Sequence, residues 1–355
     1  MAPLGAAVAL LFASFHIIAY HDVDAEPRSG WAMRTEMFVD QMELLAATEQ
    51  NVVPLADVND YLAGRCQALP PRAVVLTVDD GFTCAYTDIA PVLGRLGYPF
   101  TIFIYPSLIG SGEHSLTWAQ VAELQRRGAD VESHTMTHPH LMRRSHPEMS
   151  DAVYAAWLHD ELARARAVVE ARTKQPVRFL AYPYGDYDAA VEREATSDGY
   201  LLALTSESGP NTLTTDPLTL RRFAPDAATT LEQFAAGIGL GKLELSDVAP
   251  ADGVAASTFT ATIADRRQFD PASVHVVLLG DPRTRGAYDP QSGRVSLSLP
   301  AHPKPRQRVV VWADDAATGQ RFAAIATLYA SSAERDRYRA IHEKLAALPL
   351  HHDAK

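Results

Sequence analysis

From His16 to about Leu245 the chain alternates short apolar runs with stretches whose apolar residues recur every three or four positions. "FHIIAY" (Phe15–Tyr20), "AVVLTV" (Ala73–Val78), "PFTIFIY" (Pro99–Tyr105), "ADVESH" (Ala129–His134), "VRFLAYP" (Val177–Pro183) and "YLLALTS" (Tyr200–Ser206) have the length and the β-branched or aromatic content of strands. Helical stretches separate them. Thr117 to Gln120 reads as a capping box, with Val121 and Leu124 on the inner face and Gly128 as the stop. Asp151–Arg172 reads as a longer helix. Such alternation predicts βα units on a parallel sheet, open or closed into a barrel.

After Pro250 the period shortens to two. "TFTATIA" (Thr258–Ala264), "SVHVVLL" (Ser273–Leu279), "RVSLSL" (Arg294–Leu299), "RVVVWA" (Arg308–Ala313) and "FAAIATLY" (Phe322–Tyr329) are short alternating strands between turn clusters. They predict a small antiparallel sandwich of immunoglobulin-like size. The expected organisation is a catalytic domain over 15–245, a linker over 246–257, a β-sandwich over 258–330, and a C-terminal helix and tail over 331–355. Ser331 and Glu334 form the helix start signal.

The 355 residues are 47% hydrophobic and 21% charged, an ordinary globular balance for about two domains. The net charge of −11, with no block of Lys or Arg, argues against nucleic acid as a partner. Cys66 and Cys84 form no Cys-x-x-Cys pattern, which leaves open one disulfide or two thiols. The opening "MAPLGAAVALLFAS" has the length of an export signal's apolar core but lacks a preceding Lys or Arg. It is too short for a membrane span. Either it is the remnant of an export signal, which implies a periplasmic or secreted protein, or it is a buried N-terminal segment.

Three stretches carry candidate chemistry. "VVLTVDDGF" sets Asp79 and Asp80 at the end of a buried strand, where parallel α/β folds build their sites. A helix cap and a solvated acid are the plain alternative. "ESHTMTHPHL" has His134 and His138 four apart, just past a strand end. With Asp80 they make two imidazoles and one carboxylate, a set that leaves room for water and substrate on a divalent ion. "FLAYPYGDYD" gathers Tyr182, Tyr184 and Tyr187 around Pro183 and Gly185. That is either a turn with exposed rings or a rigid loop whose N–H groups face a site and whose rings stack on sugars.

"TVDDGF", "SHTMTHP" and "YPYG", in that order and about 50 residues apart, resemble the first three motifs of the polysaccharide deacetylases with a NodB-type domain. The resemblance runs over about Phe15 to Leu240. It implies a distorted (β/α) barrel and one divalent ion, usually zinc, on Asp80, His134 and His138. It also implies Asp79 as general base, and the Tyr184 backbone N–H as an oxyanion donor. Tyr182, Tyr187 and Arg222 are expected at the substrate.

Two departures stand out. Most of the family has Arg in the third motif, where this chain has Ala181, so Arg221 or Arg222 must be considered as the group that holds Asp79. Most of the family also draws its acid from a His after a late strand, yet no His lies between His159 and His275. In a closed barrel the first and last strands are neighbours, so a strand moved to the chain start can fill the same place. The strand ending in His21 resembles that strand, permuted, as in the poly-N-acetylglucosamine deacetylase branch. His21 is then the expected general acid, with His140 next in line.

The expected function is metal-dependent removal of N-acetyl groups from an N-acetylhexosamine polysaccharide, with a poly-N-acetylglucosamine-like exopolymer as the first expectation. Peptidoglycan, chitin-type or O-acetylated glycans are alternatives in the same class. A non-catalytic glycan binder and a non-haem iron oxygenase are the rivals from other classes. The expected partner is a poly- or oligosaccharide, with no nucleic acid and no membrane span. The β domain is a possible seat for a protein partner, and its aromatics Tyr288 and Trp312 are candidates for surface or core.

Overall fold

The computed structural model describes residues 14–349; the apolar opening segment lies outside the described residues. The chain packs as two compact units. The first comprises the described part of 1–25 together with 31–35 and 51–225, and the second comprises 26–30, 36–50 and 226 onward.

Six strands of a seven-stranded parallel sheet frame the first unit, the short strand Asn51–Val52 pairing beside the second of them: β1 (His16–Tyr20), β2 (Ala73–Val78), β3 (Thr101–Ile104), β4 (Asp130–Ser133), β5 (Phe179–Ala181) and β6 (Leu202–Leu204). They pair in chain order, β1-β2-β3-β4-β5-β6. The segment 220–223 completes the ring. Leu220 bridges Leu204 of β6, and Phe223 bridges Ile18 of β1, both in the parallel sense. Phe223 N–H donates to Ile17 O at 2.8 Å, and Ala19 N–H donates to Phe223 O at 2.9 Å. The first strand therefore lies beside the late segment, as the permuted reading requires.

Side chains alternate across a strand. Phe15 and Ile17, Ala73 and Val75, and Leu202 and Leu204 belong to one buried cluster with Phe103, Phe179 and Leu220. Continuing that parity toward the C-terminal strand ends arrives at His21, Asp79 and Arg222. On β4, Glu132 pairs in register with Phe103, so His134 follows on the same face. Apolar residues thus fill the lower ring, and polar ones succeed them at the mouth.

The expected long helix forms in three parts: α-helix at Asp151–His159, a π-turn at Asp160–Arg164, and α-helix again at Ala165–Thr173. The capping box at Thr117 is present with both its reciprocal hydrogen bonds. Cys66 and Cys84 are free thiols.

Among the described residues the second unit holds nine strands: β7 (Gly241–Lys242), β8 (Leu245–Ala249), β9 (Thr258–Ile263), β10 (His275–Leu278), β11 (Asp281–Arg285), β12 (Ala287–Asp289), β13 (Arg294–Ser298), β14 (Arg306–Asp314) and β15 (Arg321–Tyr329). They form a five-stranded sheet, β7-β15-β14-β10-β11, and a four-stranded sheet, β8-β9-β13-β12. Phe259, Ile263, Val276, Val295, Leu297 and Val309 share their buried cluster. A helix at Ser332–Ala346 follows. Part of the stretch expected as linker is strand, because β8 pairs antiparallel with β9.

The helix Thr35–Ala47 departs most from the sequence expectation. All but its first residue belongs to the second unit. Asp40 accepts from Arg306 at 2.6 Å and from Arg308 at 3.1 Å. Trp312 Nε1–H donates to Ala47 O at 2.7 Å. Trp312 is therefore core, 1% exposed, and its indole proton is satisfied.

Candidate active site

Three loops meet at the mouth of the ring, and each carries at least one residue in a left-handed conformation. Asp80 (φ 73°), Thr135 (φ 66°), His138 (φ 59°) and Tyr184 (φ 59°) are all non-glycine. Such backbone is uncommon outside Gly and gathers where structure over-determines it, often at functional sites. Gly81, at φ 101°, follows Asp80, and a Cβ there would lie 2.8 Å from Ile109. The turn that presents Asp80 therefore needs Gly at that position.

Asp80, His134 and His138 come together. His138 Nε2 lies 3.4 Å and His134 Nε2 lies 3.6 Å from Asp80 Oδ1. An ion with bonds of about 2.0–2.2 Å in tetrahedral geometry spaces its ligand atoms about 3.3–3.6 Å apart. Both Asp80 oxygens are buried and accept no hydrogen bond among the described residues. Burial, then the neighbouring Asp79, pushes the Asp80 carboxyl well above the ordinary carboxylate range. A buried carboxylate left in that state is costly, and a cation between it and the imidazoles removes the cost. His134 fits the same role, since its Nδ1 lies 2.7 Å from the Ala181 carbonyl. The proton must then sit on Nδ1, which leaves Nε2 as a ligand atom. The residues present fit a divalent ion.

Asp79 sits beside this set and is 1% exposed. Arg222 holds it: Nη1 donates to Oδ1 at 2.8 Å, and Nη2 lies 2.8 Å from Oδ2. Arg222 is itself anchored, with Nε donating to Thr205 O at 2.9 Å. Burial works to raise the Asp79 carboxyl, but Arg222, helped by His134 and His21, outweighs it and holds the group at about 2. The group facing Asp79 where the family Arg is missing is therefore Arg222, on the segment that closes the ring. Its expected place at the substrate is corrected by this burial: the side chain is 1% exposed and committed to Asp79.

His21 reaches the same point. Its Nε2 lies 3.8 Å from Asp79 Oδ2, and the side chain is 22% exposed. Its ring meets Trp31 edge-on at 6.0 Å, and Trp31 in turn lies 5.6 Å from Phe82. The Asp79 oxygen that faces His21 also lies 4.0 Å from His134 Nε2.

The tyrosine loop divides. Tyr184 is 42% exposed, and its ring lies 4.7 Å from that of His138 and stacks on His140 at 4.0 Å. His140 Nδ1 is 2.6 Å from Asp186 Oδ2. Tyr187 is half-buried, with its hydroxyl 3.3 Å from Glu207. Tyr182 is fully buried beneath Tyr187, 5.6 Å between ring centroids. Its expected contact with substrate is corrected: the ring is wall, and burial raises its phenol pKa.

Tyr105 was not among the expected site residues, yet its ring lies 5.1 Å from His138. It follows β3 on the parity that points inward, which is the signal that would have found it. A second group, His159 with Glu194 and Asp198, also gathers candidate ligands. There the imidazole Nδ1 already sits 2.9 Å from Glu194 and 2.8 Å from Asp198, the spacing of an ion pair.

The sequence pattern of the polysaccharide deacetylase family matches residues 67–203. YxkH of Bacillus subtilis (strain 168), a polysaccharide deacetylase by name, is 31% identical over 138 residues, 39% of this chain and 46% of that protein. The poly-beta-1,6-N-acetyl-D-glucosamine N-deacetylase of Escherichia coli (strain K12) is 25% identical over 264 residues, 62% of this chain and 39% of that protein. The chain thus spans less than half the length of these curated relatives. Among solved structures, IcaB from Ammonifex degensii superposes with a TM-score of 0.56 at 25% identity, covering 64% of this chain and 97% of that one.

Proposed function

We infer that the chain, whose first unit belongs to the polysaccharide deacetylase family, hydrolyses the acetamide of an N-acetylhexosamine polymer. The observation that carries this reading is a single convergence. Asp79, clamped by Arg222, turns one oxygen toward both His21 and His134, beside the cluster of Asp80, His134 and His138. Metal-assisted amide hydrolysis uses a base, an acid and a cation at one point, and these residues would serve as base, acid and ligands of the ion.

Asp80, His134 and His138 would hold the divalent ion, with zinc the ion we propose from its preference for imidazole and carboxylate. When bound, it would polarise the acetamide carbonyl and acidify a water. Asp79 takes the proton from the attacking water, and Arg222 keeps that carboxylate ionised and aimed. The Tyr184 backbone N–H, on the turn beside His138, donates to the oxyanion of the tetrahedral intermediate. An amine departs badly as an anion, so His21 Nε2 donates a proton to the leaving nitrogen as the C–N bond breaks. Acetate and a free amine on the polymer's hexosamine unit remain.

The substrate we propose is a poly-N-acetylglucosamine-like exopolymer. The E. coli relative, named for that polymer, supports it, as does a first strand ending in His21 with Ala181 in place of Arg. Such a substrate lies outside the cytoplasm, and we place the protein there. The two sheets of the second unit suit an immunoglobulin-like accessory domain, a seat for glycan or a protein partner.

The test is acetate release from poly-N-acetylglucosamine, chitin oligomers, peptidoglycan and an O-acetylated glycan, with metal analysis of the purified chain. Release from the first should exceed the others. Asp79→Asn should retain metal and lose turnover by orders of magnitude, whereas His134→Ala should lose both. No release from any glycan by protein loaded with zinc would overturn the reading.

A further inference from the structure

Glu161 lies outside every motif considered so far, on the π-turn at Asp160–Arg164. A π-turn interrupts the regular spacing of a helix and re-aims its side chains, and such turns recur at functional sites. Here it sends a carboxylate inward: Glu161 is 6% exposed. Oε2 accepts from the backbone N–H of Met136 at 3.1 Å and of Thr137 at 2.9 Å. Oε1 accepts from Thr137 Oγ1 at 2.7 Å. Both carboxylate oxygens are therefore spent on the turn between His134 and His138.

That turn is strained. Thr135 at φ 66° is a β-branched residue in the left-handed region, and His138 at φ 59° joins it there. The His138 N–H donates to Thr135 Oγ1 at 3.1 Å, and Ser107 N–H donates to Met136 O at 3.2 Å. Neither contact holds the two central N–H groups. Charge-assisted bonds to a carboxylate are stronger than neutral ones, and Glu161 provides them where the backbone is least at ease.

We propose that Glu161 is a positioning residue for the ion site. Its carboxylate fixes the strained turn, and the turn sets the distance and angle between the His134 and His138 imidazoles. The proposal rests on the reading of Asp80, His134 and His138 as an ion site.

Glu161→Gln keeps the shape and one acceptor oxygen but removes the charge that strengthens the bonds to the Met136 and Thr137 N–H groups. Thr137→Val removes only the hydroxyl bond, at an exposed position that tolerates the change. Zinc affinity of the full-length chain is measured by competition with a chromophoric chelator, alongside the visible spectrum of the cobalt-substituted protein and thermal unfolding without metal. Glu161→Gln should weaken zinc binding about 10–100-fold, the usual range for outer partners of a metal site. The cobalt bands should shift, while unfolding without metal moves little. Thr137→Val should change affinity and spectrum in the same direction by less. Wild-type affinity and an unchanged cobalt spectrum in Glu161→Gln would overturn the proposal. If Glu161→Gln does not fold, the same result in Thr137→Val would overturn it. A wild-type chain that binds no zinc would instead overturn the ion-site reading itself.

Discussion

Asp79 and Asp80 are adjacent, equally buried, and pushed in opposite directions. Asp79 is held at about 2 against the effect of burial, because a guanidinium faces it. Asp80 has no such partner, and burial raises it. Divergent environments of this kind suit like groups to different tasks, and under the proposed function Asp79 is the base that stays ionised and Asp80 the ligand that needs a cation. His21 completes the set at 3.8 Å from Asp79. His21→Ala should retain fold and metal content, yet cut kcat on N-acetyl substrates by roughly 10²–10⁴, the range for losing acid catalysis. O-acetyl esters should suffer less, since an alkoxide leaves more readily than an amine anion. Parallel rates on matched amide and ester substrates measure the difference. Equal losses on both would remove His21 from proton donation.

At the scale of the element, the third motif works through a turn that only one residue type permits. Gly185 has φ 74°, and a Cβ there would lie 2.6 Å from the Ser206 backbone N. The neighbouring atom is backbone and cannot swing aside, so Gly185→Ala must displace the loop carrying Tyr184. Turnover should fall more than about tenfold, since a misplacement of about 1 Å in a catalytic group costs up to 10²-fold. Metal content should hold, because the three candidate ligands lie on other loops. A kinetic and metal assay of Gly185→Ala checks both halves. The Tyr-Pro-Tyr-Gly string was legible as a turn, but nothing local distinguished Tyr182, which packs inside, from Tyr184, which faces His138.

At the scale of the whole molecule, chain order and packing part company. Phe38, Met42, Leu44 and Leu45 of the helix Thr35–Ala47 are fully buried, and the helix belongs with residues after 226. Asp40 with Arg306 and Arg308, and Ala47 with Trp312, tie it there. A fragment ending at Pro225 would keep the helix and lose Arg306, Arg308 and Trp312, its partners in the second unit. Each large apolar side chain that loses its cover costs about 1.5–3 kcal/mol, a sizeable part of the total stability of a domain. Fragment 14–225 should aggregate or unfold without a sharp transition under conditions where the full chain melts cooperatively; scanning calorimetry of the two decides it. The sequence pattern gives no sign of this, since a helix inserted between strands carries no local mark of the unit it joins.

The strands and their inward parity were determined locally. Alternation, β-branched runs and Gly or Pro stops depend on near neighbours, and β2 begins and ends where the pattern places it, at Ala73 and Val78. The three motifs were likewise legible, because loops at strand ends must carry their chemistry in consecutive residues. Tertiary structure alone decided the rest. Arg222 comes within 2.8 Å of Asp79 from 143 positions away, through ring closure against β1. Glu161 reaches the turn before His138 only because a π-turn re-aims it. A sequence states which groups can pair; which of them do pair is set by closure of the barrel, where positions far apart in the chain become neighbours.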